Sequence, residues 1–347
     1  MTVRFGIIGC GMISEFHAKA LQDLEQAELV GAASRAKSSA ADFAETHGIR
    51  AFQSIDELIE SNEIDAVSIC SPSGAHLEAA LKAAAAGKHV VIEKPLEITL
   101  ERCDQIIEAC ASAGVVLSTI FQSRFHESCQ VLKQAVDEGR FGTLTLANAY
   151  VKWFRTQDYY DSGAWRGTWE LDGGGALMNQ AIHNVDLLQW MMGPLQEISA
   201  FTSTLSHERI EVEDTAVATV RFANGALGTI EATTSAWPGS LKRLEIYGST
   251  GSAILEDANI LKWEFEDSDA ADKEILARFA ARNTTEGGAS DPSAIDYSGH
   301  RAQFADVIEA IQQKRRPLID GEEARKSVQI IRAIYDSAKN GRTIRLD

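Results

Sequence analysis

Positive charge is scarce in this chain: 33 Lys and Arg stand against 50 Asp and Glu, a formal charge of -17 over 347 residues. So acidic a chain repels phosphate backbones and anionic lipid, which argues against nucleic acid or membrane as partners and leaves a small molecule. Cysteine is sparse as well. Cys10, Cys70, Cys103, Cys110 and Cys129 are odd in number and form no C-x-x-C pair, so reduced core thiols are expected and no metal site is. No run of about 18 apolar residues occurs, and the first four residues lead into a strand without an apolar leader, so the expected location is cytoplasmic. There is no internal repeat.

What is present is ordinary for a folded protein, with 45% hydrophobic and 24% charged residues. At roughly 150 residues per domain the length predicts two domains. In residues 1–122 apolar strand-like runs alternate with helical patterns. Strands are predicted at 3–8, 29–33, 65–70, 89–92 and 115–121, and helices at 14–24, in the alanine-rich stretch ending at His47, and at 54–60, 76–86 and 100–113. Ser54 and Glu57 have the spacing of a capping box. Such βαβ repetition means a doubly wound parallel sheet, a Rossmann domain. Residues 123–347 read differently, with strand-like segments at 144–155, 195–205, 215–222, 226–234, 242–248 and 260–265. Asn224-Gly225 is a hairpin signal, so an antiparallel sheet and an α+β domain are predicted. Helices are expected at 126–138, 175–192, 301–313 and 322–339, and a loop within the polar stretch 267–299.

The first strand runs into Gly9-Cys10-Gly11-Met12-Ile13-Ser14. Gly9 permits a tight turn, Gly11 lets the backbone approach a pyrophosphate, and the helix starting near Met12 and Ile13 offers amide donors and a positive dipole end. The third glycine of the usual dinucleotide motif is missing, and Ser14 takes its place. The ribose-binding acid at the end of the second strand is missing too. Ser34 and Arg35 stand there instead, a hydroxyl and a guanidinium suited to a 2′-phosphate, which favours NADP over NAD. Ser71, Pro72 and His76 follow the third of these strands, and Glu93-Lys94-Pro95 the fourth. Loops at strand carboxyl ends line the ligand crevice, so these residues are assigned to the cofactor's border. His76 reads as a helix N-terminal residue rather than a catalyst, and Lys94 can reach a substrate hydroxyl. Further on, Gly173-Gly174-Gly175 precedes a helix on which Asn179 and His183, four apart, share a face that Asp186 borders. A lone histidine on an apolar helix is ordinarily a core residue. The glycine run, Asn179 and Lys94 together make it a candidate proton acceptor.

In order and spacing these motifs, together with Gly87-Lys88-His89-Val90 and Arg124-Phe125, resemble the glucose-fructose oxidoreductase/inositol dehydrogenase (Gfo/Idh/MocA) family over nearly the whole chain. The resemblance implies a Rossmann domain followed by a large open antiparallel sheet, a nicotinamide cofactor, and oxidation or reduction of sugars, polyols and their derivatives. It implies that Lys94 and His183 are catalytic, that Arg124 lies among the substrate residues, and that the chain forms a homodimer or homotetramer through its open sheet. Many members carry an aspartate where this chain has Asn179. Nucleotide-sugar dehydrogenases of the family share Met178-Asn179-Gln180, and Asn179 is then expected to orient substrate rather than relay protons.

Upstream of the glycines, Trp153, Arg155, Tyr159, Tyr160, Trp165, Arg166 and Trp169 crowd one segment. Aromatic faces pack on sugar C–H surfaces and arginines grip carboxylate or phosphate, so Arg155, Tyr159, Trp165 and Arg166 join Asn179 and His183 as substrate-binding candidates. The expected protein is an NAD(P)-dependent dehydrogenase acting on CH–OH groups of a carbohydrate. Two other classes fit less well. A glycosidase with retained NAD would use transient oxidation, and a cofactor-sensing regulator would need neither Lys94 nor His183.

Overall fold

The computed structural model describes residues 2–280 and 296–346. It opens with the predicted alternation: β1 (Val3–Ile8), α1 (Met12–Gln22), β2 (Ala27–Ala33), α2 (Lys37–His47), β3 (Arg50–Ala51), α3 (Ile55–Glu60), β4 (Ala66–Ile69), α4 (His76–Ala85), β5 (His89–Ile92), α5 (Leu100–Ala113) and β6 (Leu117–Thr119). The strands form a 6-stranded sheet in the order β3-β2-β1-β4-β5-β6, parallel throughout. A parallel sheet is covered on both faces, and accordingly Phe5, Ile7, Ile8, Ala66, Val67 and Ile69 are all buried. Ser54 caps α3 by accepting from the Glu57 amide (3.0 Å). The Glu57 carboxylate returns to the amide of Gln53 (2.7 Å), so the predicted reciprocal box is only half formed.

After β6 come α6 (Glu127–Asp137), β7 (Leu144–Lys152), α7 (Gln157–Asp161), a π-helix (Ala176–Ala181), α8 (Ile182–Met192), β8 (Leu195–Ser203), β9 (Thr215–Phe222), β10 (Leu227–Thr233), β11 (Arg243–Gly248), β12 (Gly251–Glu256), β13 (Asn259–Phe265) and α9 (Ala270–Phe279). The chain closes with α10 (Ser298–Gln313), α11 (Gly321–Asn340) and β14 (Ile344–Arg345). These later strands build an 8-stranded sheet, ordered β13-β12-β11-β7-β10-β9-β8-β14. One pair departs from the antiparallel expectation: β10 runs parallel to β7, with β9, the hairpin partner of β10, on one side and β11, antiparallel to β7, on the other. Helix α9 occupies part of the stretch expected as loop, and its Asp269 capping box is the signal that marks it. Of the rest, residues 281–295, with 284–288 among them, lie outside the described residues, and Ser298 opens α10. The expected α-helix over 175–192 begins as a π-helix over Ala176–Ala181, which holds Asn179, and becomes α-helical from Ile182, just before His183.

The sheet buries one face under the π-helix and α8, which pack on β7 and its neighbours. In β9 this leaves Ala216, Ala218, Val220 and Phe222 buried, with Val217, Thr219 and Arg221 turned to solvent. The chain divides into two compact units, Met1–Gln122 with Asp296–Val328, and Ser123–Ile295 with Gln329–Asp347. This is not the linear division into 1–122 and 123–347. Phe304, Val307 and Ile308 of α10 join the cluster of Val3, Phe5 and Ile7. Gln303 accepts from the Phe121 amide (3.0 Å) and donates to the Thr119 carbonyl (2.7 Å), so α10 is tied to the end of β6. No helix among the described residues is long and apolar enough to cross a membrane.

Candidate active site

In the first unit, β1 ends in Gly9 at φ +96°, where a Cβ would lie 2.8 Å from the carbonyl carbon of Cys70 and 2.9 Å from the amide nitrogen of Ser71. Only glycine lets the loops after β1 and β4 come this close. Gly11 is the N-cap of α1 and supplies no side-chain cap, and a Cβ there would meet nothing within 4 Å. Open space in front of uncapped helical amides is what a pyrophosphate needs, so Gly9, Gly11, Met12 and Ile13 fit a dinucleotide. Ser14 is buried and its hydroxyl donates to the Gly11 carbonyl (2.5 Å), which tightens the turn in place of the absent third glycine. Ser34 and Arg35 directly follow β2. Ser34 is half-buried, and Arg35 is exposed with no acidic partner among the described residues.

Two residues assigned to the cofactor's border turn inward instead. His76 is buried, with Nδ1 3.0 Å from the Pro95 carbonyl and Nε2 3.0 Å from the Ser71 carbonyl. Its ring ties the loop after β4 to the turn after Lys94, and burial lowers its pKa. Glu93 is likewise buried, accepting from His17 Nε2 (2.9 Å) and from the amide of Lys94 (2.9 Å). Both side chains tie strand ends together. Ser71 and Pro72 sit at the mouth of β4, and Lys94, half-buried, at that of β5, joined to Pro95 by a cis peptide.

In the second unit the glycine run serves the protein itself. A Cβ on Gly175 would fall 1.7 Å from the Glu213 carbonyl oxygen, and one on Gly174 would fall 2.2 Å from the Tyr335 hydroxyl, so both approaches are filled by protein. The Glu213 carboxylate accepts from the amides of Gly175 (3.0 Å) and Leu177 (2.9 Å) and from the Tyr335 hydroxyl (3.0 Å), and thereby caps the π-helix from outside. Burial pushes its pKa up to about 7 against the pull of those donors. Asn179, inside the π-helix, donates through Nδ2 to Asp172 (2.7 Å), which fixes the orientation of its amide. His183 lies half-buried in the first turn of α8.

Arg124, expected among the substrate residues, is fully buried, and its guanidinium grips Asp186 bidentately at 2.8 and 2.7 Å under the Trp190 ring. An arginine held in this way braces α8. The aromatic segment is different. Arg166 stacks on Tyr159 (4.3 Å to the centroid) and on Trp165 (4.5 Å), while the buried Arg155 stacks on Trp153 (5.0 Å) and on Tyr159 (5.4 Å). Gln180 donates to the Tyr159 hydroxyl (3.3 Å), so this cluster is tied to the helix bearing Asn179. Glu213, Tyr335 and Asp172 were missed from sequence. Asp172 directly precedes the glycines and was findable there, whereas Glu213 and Tyr335 carry no local signal.

The order of the parallel strands and the uncapped glycine turn define a Rossmann-fold oxidoreductase. Residues 3–121 match the oxidoreductase family with NAD-binding Rossmann fold, and residues 129–254 match the GFO/IDH/MocA C-terminal domain. The chain belongs to this Gfo/Idh/MocA family. It is 33% identical over 264 residues to a myo-inositol 2-dehydrogenase of Thermotoga maritima, covering 74% of this chain and 75% of that protein. It is 25% identical over 351 residues to a scyllo-inositol 2-dehydrogenase (NAD+) of Bacillus subtilis, covering 99% and 96%. The WlbA dehydrogenase of Bordetella pertussis, solved in complex with NADH and UDP-GlcNAcA, superposes with a TM-score of 0.89 at 35% identity, covering 100% of this chain and 99% of that one.

Proposed function

We propose that the protein is an NAD(P)-dependent dehydrogenase for a secondary hydroxyl of an anionic sugar derivative, of the nucleotide-sugar class. The observation that carries this reading is the cluster of Arg155, Tyr159 and Arg166, tied through Gln180 to the helix of Asn179 and His183. Two guanidinium groups around one aromatic face suit a carboxylate or phosphate beside a sugar ring. Likeness over the full length to a dehydrogenase solved with NADH and UDP-GlcNAcA supports the same class.

Gly9, Gly11, Met12 and Ile13 would hold the pyrophosphate, Ser34 and Arg35 the ribose end, and Ser71 and Pro72 the loop beside it. When bound, the nicotinamide supplies the hydride acceptor or donor at its C4. One of Lys94 and His183 would take the single hydroxyl proton as the carbon is oxidised and return it in the reverse direction, the other assisting its transfer. Asn179, its amide fixed by Asp172, accepts from a substrate hydroxyl and sets its orientation. Arg35 extends cofactor use to NADP(H). The exposed face of the second sheet, with Phe201, Val217, Leu227 and Leu146, is the surface for a homodimer or homotetramer.

The test is turnover with NAD and NADP on UDP-GlcNAcA and on myo-inositol, followed at the NAD(P)H absorbance band. UDP-GlcNAcA is expected to exceed myo-inositol in kcat/KM by about tenfold or more, a difference of roughly 1.4 kcal/mol. The reverse order makes the protein a polyol dehydrogenase. Tightly retained cofactor without net turnover points to the glycosidase reading instead.

A further inference from the structure

Glu93, the residue before Lys94, lies between two imidazoles from distant parts of the first unit. Its Oε1 accepts from Nε2 of His17 in α1 (2.9 Å) and lies 3.7 Å from Nε2 of His300 in α10. Its Oε2 accepts from the amide of Lys94 (2.9 Å). The side chains of His17, His300 and Glu93 are 0%, 1% and 6% exposed, so water does not share this charge. His17 Nδ1 meets the Ser68 hydroxyl at 2.7 Å, which fixes the ring from behind. Phe304, one turn beyond His300, packs edge-on against the His17 ring at 5.2 Å, and Gln303 ties the same turn to the end of β6. Neither ring nitrogen of His300 has a hydrogen-bond partner among the described residues, and the Glu93 carboxylate is the anion its polar edge approaches.

A buried carboxylate persists only when it is paired. Burial opposes ionisation of Glu93, but His17 and His300 outweigh it and hold the group well below the ordinary carboxylate range. Cys70 and His76 also feel this charge, and burial keeps the first protonated and lowers the pKa of the second. We propose that His17, Glu93 and His300 are positioning residues for Lys94: His17 holds the carboxylate by a hydrogen bond, His300 closes its other side at 3.7 Å without one, and the carboxylate locks the main chain that presents the lysine at the end of β5. The proposal rests on the reading of Lys94 as a proton-handling residue. Acid–base groups lose efficiency when displaced by fractions of an ångström, so a lock of this kind acts on turnover more than on binding. A divalent cation held by the same groups is the competing chemistry. The hydrogen bond between His17 and Glu93 and the amide on Oε2 already satisfy the carboxylate, which favours the lock.

The experiment compares His300→Phe, His300→Gln and Glu93→Gln, each alone and combined with Lys94→Ala. In the NADH-bound protein, hydrogen exchange at the Lys94 amide is expected to quicken about tenfold in His300→Phe and to recover in His300→Gln, a readout that needs no substrate. Turnover should fall between about tenfold and a hundredfold in His300→Phe and Glu93→Gln, with NADH affinity within about twofold, and neither change should add to the loss in Lys94→Ala. Should His300→Phe fail to fold, Glu93→Gln carries the same comparisons. Unchanged Lys94 exchange, full additivity with Lys94→Ala, or one equivalent of a divalent metal in the purified protein overturns the lock. Loss in Lys94→Ala without loss in the other variants strikes the positioning alone. Near-normal turnover in Lys94→Ala removes the lysine from the mechanism and the lock with it.

Discussion

At the scale of single residues, Lys94 and His183 are proposed as proton-handling residues from their neighbours in sequence: Glu93 and Pro95 around one, the glycine run before the other. Lys94→Ala and His183→Ala are each expected to lower turnover by roughly 10²–10⁴-fold, the size of a general acid–base contribution. NADH affinity by fluorescence titration should change little, and near-normal rates in both variants would return the protein to the regulator class. Arg35 is exposed at the end of β2 without an acidic partner among the described residues, so its charge is available to a 2′-phosphate. Arg35→Ala should weaken NADP(H) by about tenfold to a hundredfold, since a charge-assisted contact contributes roughly 1.5–3 kcal/mol, and leave NAD(H) nearly unchanged. Calorimetry showing equal weakening of both cofactors would dismiss this role. Arg124 shows what sequence alone does not carry: a motif beside a ligand site and a brace behind it look alike there, and the bidentate contact with Asp186 is seen only in the fold.

At the scale of elements, the π-helix over Ala176–Ala181 is held by Glu213 and Tyr335, which lie far from it along the chain. The folded-state pKa of Glu213, about 7, is raised above that of an unfolded glutamate. Its contribution to stability is therefore fully present below the unfolded value and is lost as pH rises through the folded one. Between these values the folded state holds one more proton than the unfolded state, a slope of about -1.4 kcal/mol per pH unit. Glu213→Gln removes that slope. Urea unfolding at about pH 5 and about pH 8 should show the wild type losing about 2 kcal/mol more than the variant across the interval. An identical pH dependence in the two proteins would place the proton elsewhere.

At the scale of the whole molecule, the open face of the 8-stranded sheet exposes Phe201 at 85%, Val217 at 45% and Leu227 at 48%. Phe201 pairs across strands with Val217, and Leu227 with both Arg221 and Leu146, so apolar and charged positions alternate over the face. Such a surface suits a two-fold interface, in which each patch meets its own copy. Light scattering at micromolar concentration is expected to give two or four times the 37.7 kDa of the chain. Phe201→Asp should shift the protein toward smaller species, because an unpaired carboxylate in an apolar contact is strongly unfavourable. A monomeric wild type would refute the interface.

What the sequence determined by itself is whatever local rules encode. The apolar runs of β1 and β4, the glycine turn before α1, the placement of Lys94 after β5 and the hairpin at Asn224-Gly225 follow from periods of two and 3.6 and from the steric freedom of glycine. Tertiary structure alone decided what depends on contacts across long stretches of chain. The return of α10 to the first unit, the parallel pairing of β7 with β10, the pairing of Arg124 with Asp186 and the capping of the π-helix by Glu213 leave no periodic trace. Each is fixed by the need to pair a buried polar group or cover an apolar face, and the partner that meets that need is chosen only once the chain has folded.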